Sequence, residues 1–198
     1  GLVSGLAPLM DAGRITWIAA ALSDADRAAV ELGLPESEGQ PVHLVDIPTD
    51  EFDHYYDVIA NETLWFVHHG LFDLTREPAL DRRWHEAWAD YRRVNRRFAE
   101  AVIAHAPEHA VVLVQDYHLT LLAPTVRAER DDLSLVHFHH IPFGGPDNAR
   151  VLATEPLVEM PDALAAHDAS GFNVPEWAEH YQALQRRWRT AIEPARVS

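Results

Sequence analysis

The spacing of apolar segments predicts an α/β fold: a Rossmann-like, doubly wound sheet of mostly parallel strands with helices on both faces. Three observations carry that expectation. Val111-Val112-Leu113-Val114 is an apolar, β-branched run of the length expected for a strand buried on both faces. Leu119, Leu121, Leu122 and Val126 then recur at helical spacing, and a second strand follows into His139-His140-Ile141-Pro142-Phe143, which completes a βαβ unit of about thirty residues. Elsewhere strand-like and helix-like segments keep alternating across short connections, the pattern of a layered sheet in a single domain, residues 1–198.

Taken in order, Leu2, Leu6 and Leu9 share a helical face that ends near Gly13, and Ile15 to Ala20 reads as a strand. Ser23 is placed to cap a short helix from Asp24 to about Leu32, where Asp24 and Asp26 suit the positive end of the helix dipole. Gly33 to Gln40 is a loop, Val42 to Ile47 a second strand, and Thr49 or Asp50 caps a helix that turns Phe52, Tyr55, Tyr56 and Ile59 inward. Glu62 to Phe72 is dense enough in apolar residues for a buried helix. After a break around Thr75 to Pro78, Arg82 to Ala104 forms the longest helix, with Trp84, Trp88, Tyr91, Asn95 and Phe98 on one face. Its arginines interleave with Glu86, Asp90 and Glu100, which reads as a solvated face. Beyond Gly144-Gly145-Pro146, helices cover roughly Leu157 to Ala166 and Pro175 to Arg189, on either side of the short Ser170-Gly171-Phe172.

Composition excludes several function classes. The 31 acidic against 16 basic side chains give a formal net charge of −15 with no basic tract, so nucleic acid is not an expected partner. The absence of Cys removes thiol nucleophiles, disulfides and thiolate metal sites together. No apolar run is long enough to span a bilayer and no leader pattern is visible, so a cytoplasmic protein is expected. The opening Gly1-Leu2-Val3-Ser4-Gly5 has no Met, which suggests a piece of something longer.

Chemistry is expected where strands end. In parallel sheets ligands bind beyond the carboxyl ends of the strands, and Asp116-Tyr117-His118 and His139-His140 both fall there. Asp116 can hold a sugar hydroxyl or act as a base, or it can simply cap the following helix. His137 and His139 share one face of their strand and His140 takes the other, so the three do not converge as metal ligands, and His140 is the better candidate for substrate contact. Gly1, ahead of a helix, allows backbone amides to approach a phosphate. Tyr56 and Trp65 can stack on a sugar ring or pack in the core.

The order of these motifs is more specific than any one of them. Gly1-Leu2-Val3-Ser4-Gly5-Leu6, Tyr55-Tyr56 with Asn61-Glu62-Thr63-Leu64-Trp65, Val114-Gln115-Asp116-Tyr117-His118-Leu119 and His140-Ile141-Pro142-Phe143 resemble successive motifs of the trehalose-6-phosphate synthases, glycosyltransferase family 20. The wording Leu64-Trp65-Phe66-Val67-His68-His69 looks closest to actinobacterial members, and the likeness continues to Trp177-Ala178. The resemblance implies the N-terminal, acceptor-side lobe of a GT-B glycosyltransferase, whose partner is a C-terminal nucleotide-sugar lobe of the same protein. Such enzymes pass glucose from a nucleotide sugar, usually UDP-glucose, to glucose 6-phosphate with retention, using no metal or other cofactor. By position, Asp116 and His140 then lie where donor glucose meets the acceptor hydroxyl, Tyr56 and Trp65 line the acceptor pocket, and Gly1 belongs to the loop near the donor diphosphate. Homo-oligomerisation stays open.

One departure bears on the acceptor: many family members carry Trp where this chain has Ala20, three residues after Trp17. A glucosylglycerol-phosphate synthase or a validamycin-type pseudoglycosyltransferase is therefore an alternative. A non-catalytic lobe that binds sugar phosphates or a partner is the alternative of another class. The second-lobe residues expected to bind the nucleotide do not belong to this chain, so the isolated piece is expected to be inactive.

Overall fold

The computed structural model describes residues 15–32, 42–72 and 79–192. The expected N-terminal helix with Gly1, the loop at Gly33 to Gln40 and the break at Thr75 to Pro78 lie outside the described residues. In chain order the elements are β1 (Trp17–Ala20), α1 (Asp24–Leu32), β2 (Val42–Val45), α2 (Thr49–Asp53), a π-wound segment (His54–Leu64) and α3 (Trp65–His69). Then come α4 (Arg82–His105), β3 (Val111–Gln115), a 3-10 turn (Tyr117–Leu119), α5 (Leu122–Glu129) and β4 (Ser134–His139). The last four are α6 (Pro146–Ala149), α7 (Thr154–Ala165), β5 (Ala169–Phe172) and α8 (Pro175–Ile192). Among the described residues no helix is long and apolar enough to cross a membrane.

Every strand pair among the described residues is parallel, as the sequence predicts. β1 pairs with β2, with Trp17 opposite Val42, and β3, β4 and β5 form a second sheet in that order. The crossovers are helical: α1 between β1 and β2, α5 between β3 and β4, α6 and α7 between β4 and β5. Ser23 does cap α1, reciprocally: its hydroxyl accepts from the Asp26 amide at 3.1 Å while the Asp26 carboxylate accepts from the Ser23 amide at 2.8 Å. At α2 the expected cap shifts, because Pro48 occupies the position before the helix and Thr49 is already its first residue.

The core is organised by α4. Its apolar stripe stacks Trp84 on Trp88 and Trp88 on Tyr91 in near-parallel pairs, and Asp81 starts the helix by accepting from the Trp84 amide at 3.0 Å. That stripe packs on Tyr55, Val58 and Ile59 from the π-wound segment and on Leu122 and Val126 from α5. The opposite face is solvated, as its charge pattern predicts: Arg83, Glu86, Arg92, Arg93, Arg96 and Glu100 are exposed, and Asp90 is the exception. Arg92 pairs with Glu159 of α7, Arg97 reaches Glu51 of α2, and Asp90 is buried between Arg93 and His54. Charged side chains on one helix become ties between helices once neighbours supply partners.

One further expectation changes. The strand at Val111 is not covered on both faces: Val111 and Leu113 are 62% and 52% exposed, while Val114 is buried. Ser170-Gly171-Phe172, the short apolar segment between two helices, belongs to β5 and pairs with His137, Phe138 and His139 of β4. Gly171 has to be Gly there, since a Cβ would sit 2.7 Å from the Phe138 ring.

Candidate functional site at the ends of β3 and β4

Asp116 is the first residue past β3, and its backbone lies in the left-handed region (φ 61, ψ 179), where L side chains are rarely found. Each of its backbone polar groups is engaged. Its amide donates to the Phe138 carbonyl at 2.8 Å, and its carbonyl accepts from the His137 Nε2–H at 3.1 Å. One carboxylate oxygen accepts from the Tyr117 amide at 3.0 Å and from the His140 amide at 3.2 Å. The capping contact that the sequence allowed is therefore present, and it uses Oδ1, which leaves Oδ2 for other donors. Strain of roughly 1–3 kcal/mol at such a residue persists only where the surroundings over-determine it. Here two strands and a turn do so.

His140 is the first residue past β4, half-buried, with its amide on Asp116 and its carbonyl accepting from Asn173 Nδ2 at 2.7 Å. Asp116 and His140 thus meet at one sheet edge, joined directly. The turn after Asp116 is pinned from beneath by α4. Tyr91 donates its hydroxyl to the Tyr117 carbonyl at 2.6 Å. Buried Asn95 donates to the Tyr91 and His118 carbonyls and accepts from the Leu121 amide. Among inward residues of an apolar stripe, a single Asn is the sequence signal for such a pin.

Tyr56 sits beside this turn and is 41% exposed, so it does not face the core as the helical pattern predicts. Its ring is already stacked on Phe52 and on His118, at 5.5 Å in both cases. Tyr56 follows buried Tyr55 by one residue in this π-wound segment, a step of about 100° or slightly less round the axis, which carries its ring out of the buried arc. The Thr63 hydroxyl bonds the Val58 carbonyl five residues earlier at 2.8 Å, the reach of that winding. On the same segment Asn61, indistinct in the sequence, accepts from the Tyr117 hydroxyl at 3.3 Å. Trp65 is half-buried and stacks on His69 at 3.9 Å. Among the described residues no hydrogen bond or ring contact joins Trp65 to Asp116 or His140. Gly1 lies outside the described residues.

The imidazoles divide by face as alternation requires. His137 and His139 are fully buried with His68 and His167 around them, at ring separations of 4.6 to 5.8 Å. Burial, reinforced by neighbouring imidazoles, pushes His68 down to about 3 and His137 to about 4, and holds His139 well below the ordinary histidine value. These rings are neutral packing groups. Among the described residues no three His, Asp or Glu side chains are grouped to hold a metal ion. A cavity of about 500 Å³ lies against the π-wound segment, lined by Asp53, Asp57, Glu62, His54, Asn61 and Arg83. Its three carboxylates disfavour an anionic ligand, and neither Asp116 nor His140 lines it.

What the sheet edge offers chemically is a carboxylate held against the backbone of His140, whose imidazole bonds Gln115, with Tyr56 stacked on His118 of the turn after Asp116. That set can orient the hydroxyls of a sugar. The profile of glycosyltransferase family 20 matches residues 1–196. A trehalose-6-phosphate synthase from Mycolicibacterium smegmatis is 35% identical over 188 residues, 94% of this chain and 35% of that protein. One from Mycobacterium marinum is 35% identical over 190 residues, 94% of this chain and 36% of its own length. The chain thus spans about a third of the curated relatives it matches. Among solved structures, the apo form of OtsA superimposes with a TM-score of 0.75 at 22% identity, covering 94% of this chain and 40% of that one. An α,α-trehalose-phosphate synthase (UDP-forming) from Burkholderia vietnamiensis superimposes with 0.68 at 25% identity, covering 87% and 43%.

Proposed function

The chain belongs to glycosyltransferase family 20, and on that premise we propose that it is the N-terminal, acceptor-side lobe, residues 1–198, of a retaining glycosyltransferase. The reaction is transfer of glucose from a nucleotide sugar, UDP-glucose as first choice, to glucose 6-phosphate, giving trehalose 6-phosphate. A C-terminal lobe of the same protein supplies the nucleotide site. The observation that carries the reading is the junction of Asp116 and His140 at the ends of β3 and β4, with Asp116 held in a strained backbone conformation by both strands.

The chemistry fits such a junction. Retaining transfer through an oxocarbenium-like transition state depends on an acceptor hydroxyl aligned with the anomeric carbon and on stabilised charge at the leaving diphosphate. A protein nucleophile is not required. Asp116 Oδ2 and His140 orient hydroxyls of the donor glucose, while Tyr56 and Trp65 bound the acceptor side and Gly1 serves the diphosphate loop. Ala20, half-buried at the end of β1, stands where many relatives have Trp, which favours testing glycerol 3-phosphate as a second acceptor.

The test uses the intact enzyme with UDP- and GDP-glucose against glucose 6-phosphate and glycerol 3-phosphate. Wild type is expected to turn over glucose 6-phosphate, and Asp116→Ala to lose on the order of 100-fold or more in kcat with folding preserved. No transfer to glucose 6-phosphate would overturn the substrate assignment. Near-normal turnover by Asp116→Ala would overturn the role of the carboxylate.

A further inference from the structure

Gln115, the last residue of β3, has a side chain held at both ends of its amide. Its amide nitrogen lies 3.3 Å from the Leu113 carbonyl, and its amide oxygen lies 2.8 Å from His140 Nε2. A carbonyl only accepts, so the NH2 group must be the end on Leu113 and the oxygen the end on His140. An oxygen facing an imidazole nitrogen requires that nitrogen to carry the proton. The roles are therefore obligate: Nε2 of His140 donates to Gln115, and in the neutral ring Nδ1 is left as a lone-pair acceptor.

His140 is held at two further points. Its amide donates to Asp116 and its carbonyl accepts from Asn173, so backbone and ring are fixed from the ends of both neighbouring strands. Among the described residues, the ring contact with Gln115 is the one that sets which nitrogen carries hydrogen. Extended β3 makes that contact available, since Gln115 pairs in register with Phe138, two residues before His140.

We infer that Gln115 is a positioning residue that locks His140 in the Nε2–H form, so that Nδ1 accepts a hydrogen bond from a substrate hydroxyl instead of donating one. The inference rests on the glycosyltransferase reading for its hydroxyl, though not for its tautomer. Gln115→Leu removes the acceptor and frees the ring to exchange tautomers. Gln115→Glu gives up the bond to Leu113 but keeps an oxygen facing Nε2, and so keeps the lock while the ring is neutral.

The experiment labels histidine with 15N in the full-length protein and reads the His140 tautomer beside steady-state kinetics. Wild type is expected as Nε2–H, Gln115→Leu as a mixture or as Nδ1–H with kcat reduced on the order of tenfold at unchanged acceptor KM, and Gln115→Glu as Nε2–H with most of the rate restored. An Nδ1–H His140 in wild type overturns the inference outright, without any variant needing to fold. So does a folded Gln115→Leu protein that keeps Nε2–H, or one within twofold of wild-type turnover, or equal losses in the Leu and Glu variants. Should wild type fail to transfer glucose, the substrate reading falls while the tautomer measurement still decides the role of Gln115.

Discussion

Asn95 shows how a single side chain can support a site it never touches. It is 1% exposed and makes three hydrogen bonds, two of them to the turn that follows Asp116. In Asn95→Ala the Leu121 amide and the His118 carbonyl, both part-buried, lose their partners. A buried polar group left unpaired costs about 1–3 kcal/mol, so an unfolding free energy from urea titration lowered towards the small end of that range is expected. Tyr91→Phe, which strips one bond from the Tyr117 carbonyl, is expected to cost less than Asn95→Ala in the same titration. An Asn95→Ala protein as stable as wild type would show that the turn does not depend on this pin.

Between elements, the loop after β4 and helix α3 approach more closely than any side chain permits. A Cβ on Gly144 would lie 2.9 Å from the Val67 carbonyl oxygen and 3.2 Å from the His68 Cα, both backbone atoms that cannot swing aside. The Gly144 amide also donates to His68 Nδ1 at 3.2 Å. Gly144→Ala is therefore expected to destabilise by about 1–3 kcal/mol, as overpacking does. The loop that begins at His140 has to shift with it, so loss of stability is expected to accompany loss of activity. Thermal unfolding of the variant beside wild type measures the first, and an unchanged midpoint would show that the contact relaxes freely.

Across the molecule, the buried imidazoles couple stability to pH. His68 and His137 have folded values near 3 and 4, below the ordinary 6.5 that the unfolded chain restores. Above about pH 6.5 neither state binds the proton and these groups contribute nothing. As pH falls below that, the unfolded chain takes up protons that the folded one refuses, and stability drops by roughly 1.4 kcal/mol per unit for each such ring. The loss continues until the folded values are reached. Asp132 and Asp168 are also held low, chiefly by Arg130 and by the Leu135 amide respectively, but these carboxylates act only below about pH 4. Urea titrations from pH 7 to pH 5 are thus expected to show a steady decline that histidines alone produce. A flat profile over that range would mean that the cluster is protonated without cost.

The parallel α/β class, the long α4 stripe and the two polar clusters at strand ends are all written in local periodicity, because alternation and 3.6-residue spacing need no knowledge of neighbours. The split of His137 and His139 from His140 belongs with them, since a strand dictates it. What covers a surface is decided by distant chain, and there the tertiary structure was needed. Val111 and Leu113 look like core and are exposed, Asp90 looks solvated and is buried, and Tyr56 turns outward on a π winding. The bond between Asp116 and His140, the pin by Asn95 and the grip of Gln115 on one ring nitrogen all join residues more than twenty apart. Sequence order named the chemical groups; their hydrogen-bond partners exist only because parallel pairing of β3 and β4 brings the two strand ends level.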